Sequence, residues 1–86
     1  MKRYRVEFTT SAHREFLKLS DAVAARLTAR ILALGTNPRP AGSKKLSAQR
    51  DIYRIRIGDC RILYEIQDRV LVVLVVKIGH RREIYQ

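Results

Sequence analysis

Apolar and polar residues alternate from Tyr53 to Ile57 and again, save for Leu63, from Cys60 to Tyr64, and the two runs meet at Gly58-Asp59. Alternation at period two marks a strand with one buried face. A Gly-Asp pair between two such runs suits a two-residue hairpin turn with positive φ at the glycine. Counting outward from that turn sets Ile57 opposite Cys60, Arg56 opposite Arg61, Ile55 opposite Ile62, Arg54 opposite Leu63 and Tyr53 opposite Tyr64. Tyr53, Ile55, Ile57, Cys60, Ile62, Tyr64 and Ile66 then share a core face, and Arg54, Arg56 and Arg61 share the other.

The remaining pattern supplies the elements around this hairpin. Tyr4–Phe8 alternates and reads as a first strand. Ala12, Phe16 and Leu19 recur at helical spacing, so a short helix over Ala12–Leu19 is expected, capped by Thr10 or Ser11. A second helix opens at Ser20 or Asp21, carries the stripe Val23, Leu27, Ile31 and Leu34, and stops at Gly35 before Asn37-Pro38. Asn37–Arg50 reads as an irregular basic loop with Leu46 as its one large apolar anchor. VLVVLVVKI, from Val70 to Ile78, is apolar on both faces, as in a strand interior to a sheet. A turn at Gln67-Asp68 or at Asp68-Arg69 puts Leu71, Val73 and Val75 on the core face, and Val72, Leu74 and Val76 on the arginine face. The order is β-α-α-β-β-β. The expected fold is α+β, one domain over residues 1–86, with a helical hairpin packed on one face of a mainly antiparallel twisted sheet.

Charge changes the picture more than composition does. The chain of 86 residues is 47% hydrophobic, which excludes a disordered chain, and carries a formal net charge of +10. Such a field attracts nucleic acid, an anionic surface or an acidic partner. A single cysteine, Cys60, excludes an internal disulfide framework and reads as a small core residue. Too few Cys and His are present for a zinc site, so no metal or other cofactor is expected. The start, MKRYRVEF, lacks an apolar leader pattern, and the run Val70–Val76 is too short to span a bilayer. A cytoplasmic location without membrane association is the expectation.

The arginine face is the candidate site. Like charges directly opposite each other destabilise a sheet, so Arg56 facing Arg61 calls for a reason. One reading is a solvated face that keeps the protein soluble. The other is a cluster preorganised for an anion such as phosphate, which guanidinium groups grip bidentately. Lys44, Lys45 and Arg50, just before the hairpin, either stay solvated or add phosphate contacts.

The loop ending in KKL, the hairpin YRIRIGDCRILYEI and the terminal IGHRREIY closely resemble the RelE/ParE superfamily of toxin–antitoxin toxins, over nearly the whole chain. The resemblance implies a type II toxin. RelE-like members cut messenger RNA in the ribosomal A site as endoribonucleases that inhibit translation, whereas ParE-like members act on DNA gyrase without nuclease activity. By position it points to Arg54, Arg56, Arg61, Arg81 and Tyr85 as site residues. It also implies a cognate acidic antitoxin, contact with the ribosome and mRNA, DNA binding only through the antitoxin, and assembly up to a heterotetramer. Two departures stand out. The RelE archetype has lysines at Arg54 and Arg56, and the sequence ends one residue after Tyr85, so a C-terminal helix like that of some relatives is not expected.

The residues suit RNA cleavage by attack of the 2′-hydroxyl on the neighbouring phosphate. Arg54, Arg56, Arg61 and Arg81 would neutralise the phosphorane. Tyr85 would serve as general base, its phenolate favoured by nearby guanidinium groups; stacking on a base and packing of the chain end are its other readings. Arginine keeps its proton at ordinary pH, so the hairpin is a phosphate clamp rather than a proton source. The resemblance gives the acid role to Arg81, and His80 competes because imidazole titrates nearer neutrality. His13 reads as a surface residue. A basic RNA-binding protein without toxicity is the third functional reading.

Overall fold

The structure, a computed structural model, describes residues 3–80. Seven elements follow one another: β1 (Arg5–Phe8), α1 (Thr10–Leu17), α2 (Asp21–Ala33), β2 (Lys44–Lys45), β3 (Ile52–Ile57), β4 (Cys60–Gln67) and β5 (Val72–His80). The five strands form one sheet in the order β1-β5-β4-β3-β2. β1 runs parallel to β5, and every other neighbour is antiparallel. The α+β architecture is as expected, with one added strand: Lys44 and Lys45, read as loop, pair with Arg54 and Tyr53 at the sheet edge.

Both helices lie on one side of the sheet. Ala12, Leu27, Ile31 and Leu34 pack there against Ile55, Ile57, Cys60, Ile62, Tyr64, Ile66, Val73, Val75 and Ile78. Burial of each large aliphatic in this set stabilises the fold by about 1.5–3 kcal/mol. No helix among the described residues lies over the other side of the sheet. Among the described residues, no helix is long and apolar enough to cross a membrane.

The helix starts differ by a residue or two from expectation. Thr9, not Thr10 or Ser11, caps α1: its Oγ1 accepts the Ala12 N–H at 3.1 Å. Its own N–H donates to the Val75 carbonyl at 3.0 Å, so one residue ends the β1–β5 pairing and starts the helix. Ser20 caps α2 as one of its two expected caps, accepting from Val23 at 3.4 Å. α1 ends at Leu17, leaving Leu19 in the connection. Past α2, the Gly35 carbonyl accepts the Tyr4 N–H at 2.7 Å. A Cβ on Gly35 would stand 2.8 Å from the Tyr4 carbonyl oxygen, so this contact needs glycine.

The β3–β4 hairpin has the expected register at every pair, with Gly58 at φ +60° in the turn. The β4–β5 connection does not. Pairing stops at Gln67 and resumes at Val72, so the turn spans four residues, and Leu71 sits in it at φ 55° instead of on the core face. Its carbonyl accepts the Arg5 N–H at 2.8 Å, which opens the parallel pairing of β1. Val73 and Val75 are core residues as expected. Val72 is 4% exposed yet lies outside the core cluster, on the open side.

A bulge then shifts β5. Tyr64 pairs with Val75, but Leu63 pairs with Lys77, which leaves Val76 as the extra residue. A bulge reverses the facing of everything beyond it relative to simple alternation. Ile78 therefore turns to the core and Lys77 to the open side.

At the far end of the sheet from Gly58, Arg39 ties the loop after α2 to the core. Its Nη2 donates to Asp68 Oδ2 at 3.0 Å and its Nε to the Tyr53 hydroxyl at 3.0 Å. The Tyr4 hydroxyl donates to the same Asp68 carboxylate. Tyr64, stacked on Tyr53 at 6.0 Å, donates its buried hydroxyl to the Pro38 carbonyl at 2.8 Å. Burial pushes the Tyr64 phenol up from its ordinary pKa.

Candidate functional site

Directly paired residues project to the same side of a sheet, so the register defines the open face row by row. The row nearest the hairpin turn is Arg56, Arg61 and Gly79. The next is Lys44, Arg54, Leu63 and Lys77. Below it lie Ile52, Glu65, Leu74 and Glu7, and then Gln67, Val72 and Arg5. The half nearest the turn thus carries five cations and no acid, while the half nearest the β4–β5 turn is apolar with paired charges.

The pairings sharpen that division. At the second half, Arg5 bonds Glu7 at 2.6 Å and Arg50 meets Glu65 at 3.2 Å. In the cationic half, the Nε atoms of Arg54 and Arg61 are buried and find no hydrogen-bond acceptor among the described residues. An unsatisfied buried donor costs about 1–3 kcal/mol. The two residues are diagonal neighbours across β3 and β4, about 7–8 Å apart at the backbone. Arg54 and Arg61 are half-buried as residues, and exposed Arg56 lies beside them on the same patch of open sheet.

The predicted residues divide accordingly. Arg54, Arg56, Arg61 and Lys44 come together. Lys45 pairs with Tyr53 in register, on the helix side, and its ammonium meets Asp51 at 3.3 Å. Arg50 reaches the face only at its margin, through Glu65. His80 stands opposite Cys60, so its backbone position assigns it to the side away from Arg61. Arg81 and Tyr85 lie outside the described residues.

Lys77 joins the site without having been foreseen. Plain alternation from Val73 and Val75 would turn it into the core, and only the bulge at Val76 brings it to the open side. Its Nζ lies 3.2 Å from Glu15 Oε2, which holds it at the sheet edge. Its one signal in the sequence is a lysine in an otherwise apolar run, a poor fit to an interior position.

A sequence model of the family described as "ParE toxin of type II toxin-antitoxin system, parDE" matches residues 6–85. The chain belongs to the RelE/ParE superfamily of type II toxin–antitoxin toxins. It is 31% identical to a putative RelE-like toxin protein of Escherichia coli over 92% of this chain and 84% of that one. It is also 29% identical to the mRNA interferase toxin RelE of E. coli K12, over 95% and 90% of the two chains. Among solved structures, the archaeal RelE–RelB complex from Pyrococcus horikoshii superposes with a TM-score of 0.82 at 27% identity, covering 94% of this chain and 97% of that one. The α+β fold described above is thus that of the RelE/ParE toxins.

Proposed function

We propose that this RelE/ParE toxin is a ribosome-dependent mRNA endoribonuclease that inhibits translation in the cytoplasm. The observation that carries the reading is the pair of buried Nε donors on Arg54 and Arg61, left without acceptors beside Arg56 on an uncovered face. A phosphate between the two guanidinium groups would be gripped by their outer N–H donors and would offset the like-charge repulsion of Arg56 and Arg61. That repulsion is modest, because backbone pairing sets only the Cβ spacing and the exposed Arg56 side chain can splay into water. Charge on the phosphorane grows in the transition state, so the same cations favour that state over the substrate.

The clamp orients the phosphate for attack by the 2′-hydroxyl. Tyr85 takes the hydroxyl proton, and Arg81, next to the end of β5, supports the leaving 5′-oxygen. The register of His80, on the opposite side of the sheet, favours Arg81 as the group that neutralises charge on the leaving oxygen, since arginine keeps its own proton. An acidic antitoxin is the natural partner: the RelE relative from P. horikoshii was solved with RelB, and a +10 chain with part-exposed Leu63 and Leu74 on its open face suits such a cover.

Primer extension on mRNA after induction tests this. Cuts at in-frame codon positions that vanish when translation is blocked are expected, and Arg61→Ala and Tyr85→Phe should each relieve growth arrest with the fold intact. The match to a ParE family model favours a second reading, inhibition of DNA gyrase without hydrolysis. In that case induction triggers a DNA-damage response while translation at first continues.

A further inference from the structure

From Ala22 to Arg50 the chain carries six Lys and Arg and no Asp or Glu. The first of these cations, Arg26, projects from α2 onto the β3–β4 hairpin tip. A Cβ placed on Gly58 would stand 2.9 Å from Arg26 Nη1, so the guanidinium lies directly against the glycine from the helix side. Arg56, two residues before Gly58, and Arg61, three after it, flank the same tip from the open side. At a strand rise of about 3.3–3.4 Å per residue, Arg56 is ~7 Å from the turn. Asp59, the other turn residue, is already partnered within the molecule.

Arg30 follows Arg26 by one helical turn, and both are exposed. Their neighbours on that outer surface are Ala22, Ala25, Ala29 and Ala33, all short side chains. The cationic surface therefore does not end at the clamp. It continues around the hairpin tip and onto α2, with glycine at the point of closest approach. A single phosphate has no use for so long a track, whereas a strand with a phosphate at every nucleotide does.

We propose that Arg26 is an RNA-binding residue, which takes a phosphate of the same strand that Arg54, Arg56 and Arg61 grip, as that strand passes over the hairpin tip towards Arg30. The proposal rests on the clamp reading above and extends its footprint from one phosphate to several. Gly58 keeps the tip low enough for the backbone to pass.

Fluorescence anisotropy with 2′-O-methyl RNA, which lacks the attacking hydroxyl, separates the two ideas. The probes are a trinucleotide and an oligomer of about 12 nucleotides, within the range of single-strand site sizes. Arg26→Ala is expected to weaken the longer probe roughly tenfold, as for one lost charge-assisted hydrogen bond, and to leave the trinucleotide unchanged. The slope of log affinity against log salt for the longer probe should flatten by about 0.7, the single-strand value for one phosphate contact. Arg26→Lys, which keeps the charge, should recover most of the loss. Arg5→Ala, at the other end of the open face, should change neither probe, and Arg56→Ala should weaken both. If Arg26→Ala binds the longer probe like the parent while Arg56→Ala weakens both, the extended track is wrong and the clamp stands. If Arg56→Ala changes neither probe, the clamp reading itself fails.

Discussion

The Glu15 carboxylate closes the edge of β5 by accepting the Ile78 N–H at 3.0 Å through Oε1. β1 pairs with β5 only as far as Val75, because Phe8 is its last residue and the chain turns into α1. Beyond that point β5 would present a bare edge, and a side chain from α1 takes the place of the missing strand. The other oxygen of the same carboxylate holds Lys77 at 3.2 Å. One acid thus protects the edge and restrains a cation of the open face.

Glu15→Ala should lower stability by about 1–3 kcal/mol, the cost of a part-buried backbone donor left without its acceptor. Glu15→Gln keeps an acceptor oxygen and should lose less than half as much. Urea unfolding of the two variants checks this, and equal losses would mean that the Ile78 bond contributes nothing beyond the charge.

Arg56→Ala should leave stability within about 0.5 kcal/mol of the parent or raise it, since the change removes an exposed charge that faces Arg61. Toxicity should fall in the same variant. A chemical denaturation curve beside a growth assay separates the two effects, and a clear loss of stability would show that Arg56 is held for structural reasons.

Gly58→Ala should destabilise the fold by about 1–2 kcal/mol, because φ +60° is strained for any residue with a Cβ. The added methyl also forces Arg26 to move. Thermal unfolding measures the first effect, and Gly58→Asn, which tolerates this conformation better, should lose less.

Stability should fall above about pH 10, and Tyr64 is one cause. Its phenol is held above the ordinary value by burial, so between the two values the unfolded chain gives up a proton that the folded one keeps. The contribution is whole below the unfolded pKa near 10 and is lost as pH rises through the folded one. Tyr4, raised by its hydrogen bond to Asp68, acts in the same direction. In Tyr64→Phe the alkaline loss should become shallower. Its neutral-pH stability should drop by about 1–3 kcal/mol, since the Pro38 carbonyl loses its donor.

The β3–β4 hairpin was fully legible before the structure. Gly58-Asp59 sets the turn, period two sets the faces, and the opposition of Arg56 and Arg61 follows by counting. These rules act over two to four residues, so a single sequence suffices. The same holds for the helix stripe Leu27, Ile31 and Leu34 and for the burial of Val73 and Val75. The start of α1 was less so: Thr9, Thr10 and Ser11 are equivalent caps locally, and the bond from Thr9 N–H to Val75 chooses among them.

The chain's local chemistry determined the fold class, the arginine face and the residues Arg54, Arg56 and Arg61 on it. Tertiary contacts alone decided which other cations join them. Lys44 reaches the face and its neighbour Lys45 does not, because β3 takes them into its ladder in one register. Lys77 reaches it because β5 bulges at Val76, where Thr9 Oγ1 donates to the Val76 carbonyl at 3.4 Å and Glu15 holds Ile78 beyond. A bulge is set by partners 63 to 67 positions away in the chain, and alternation along one strand carries no record of them.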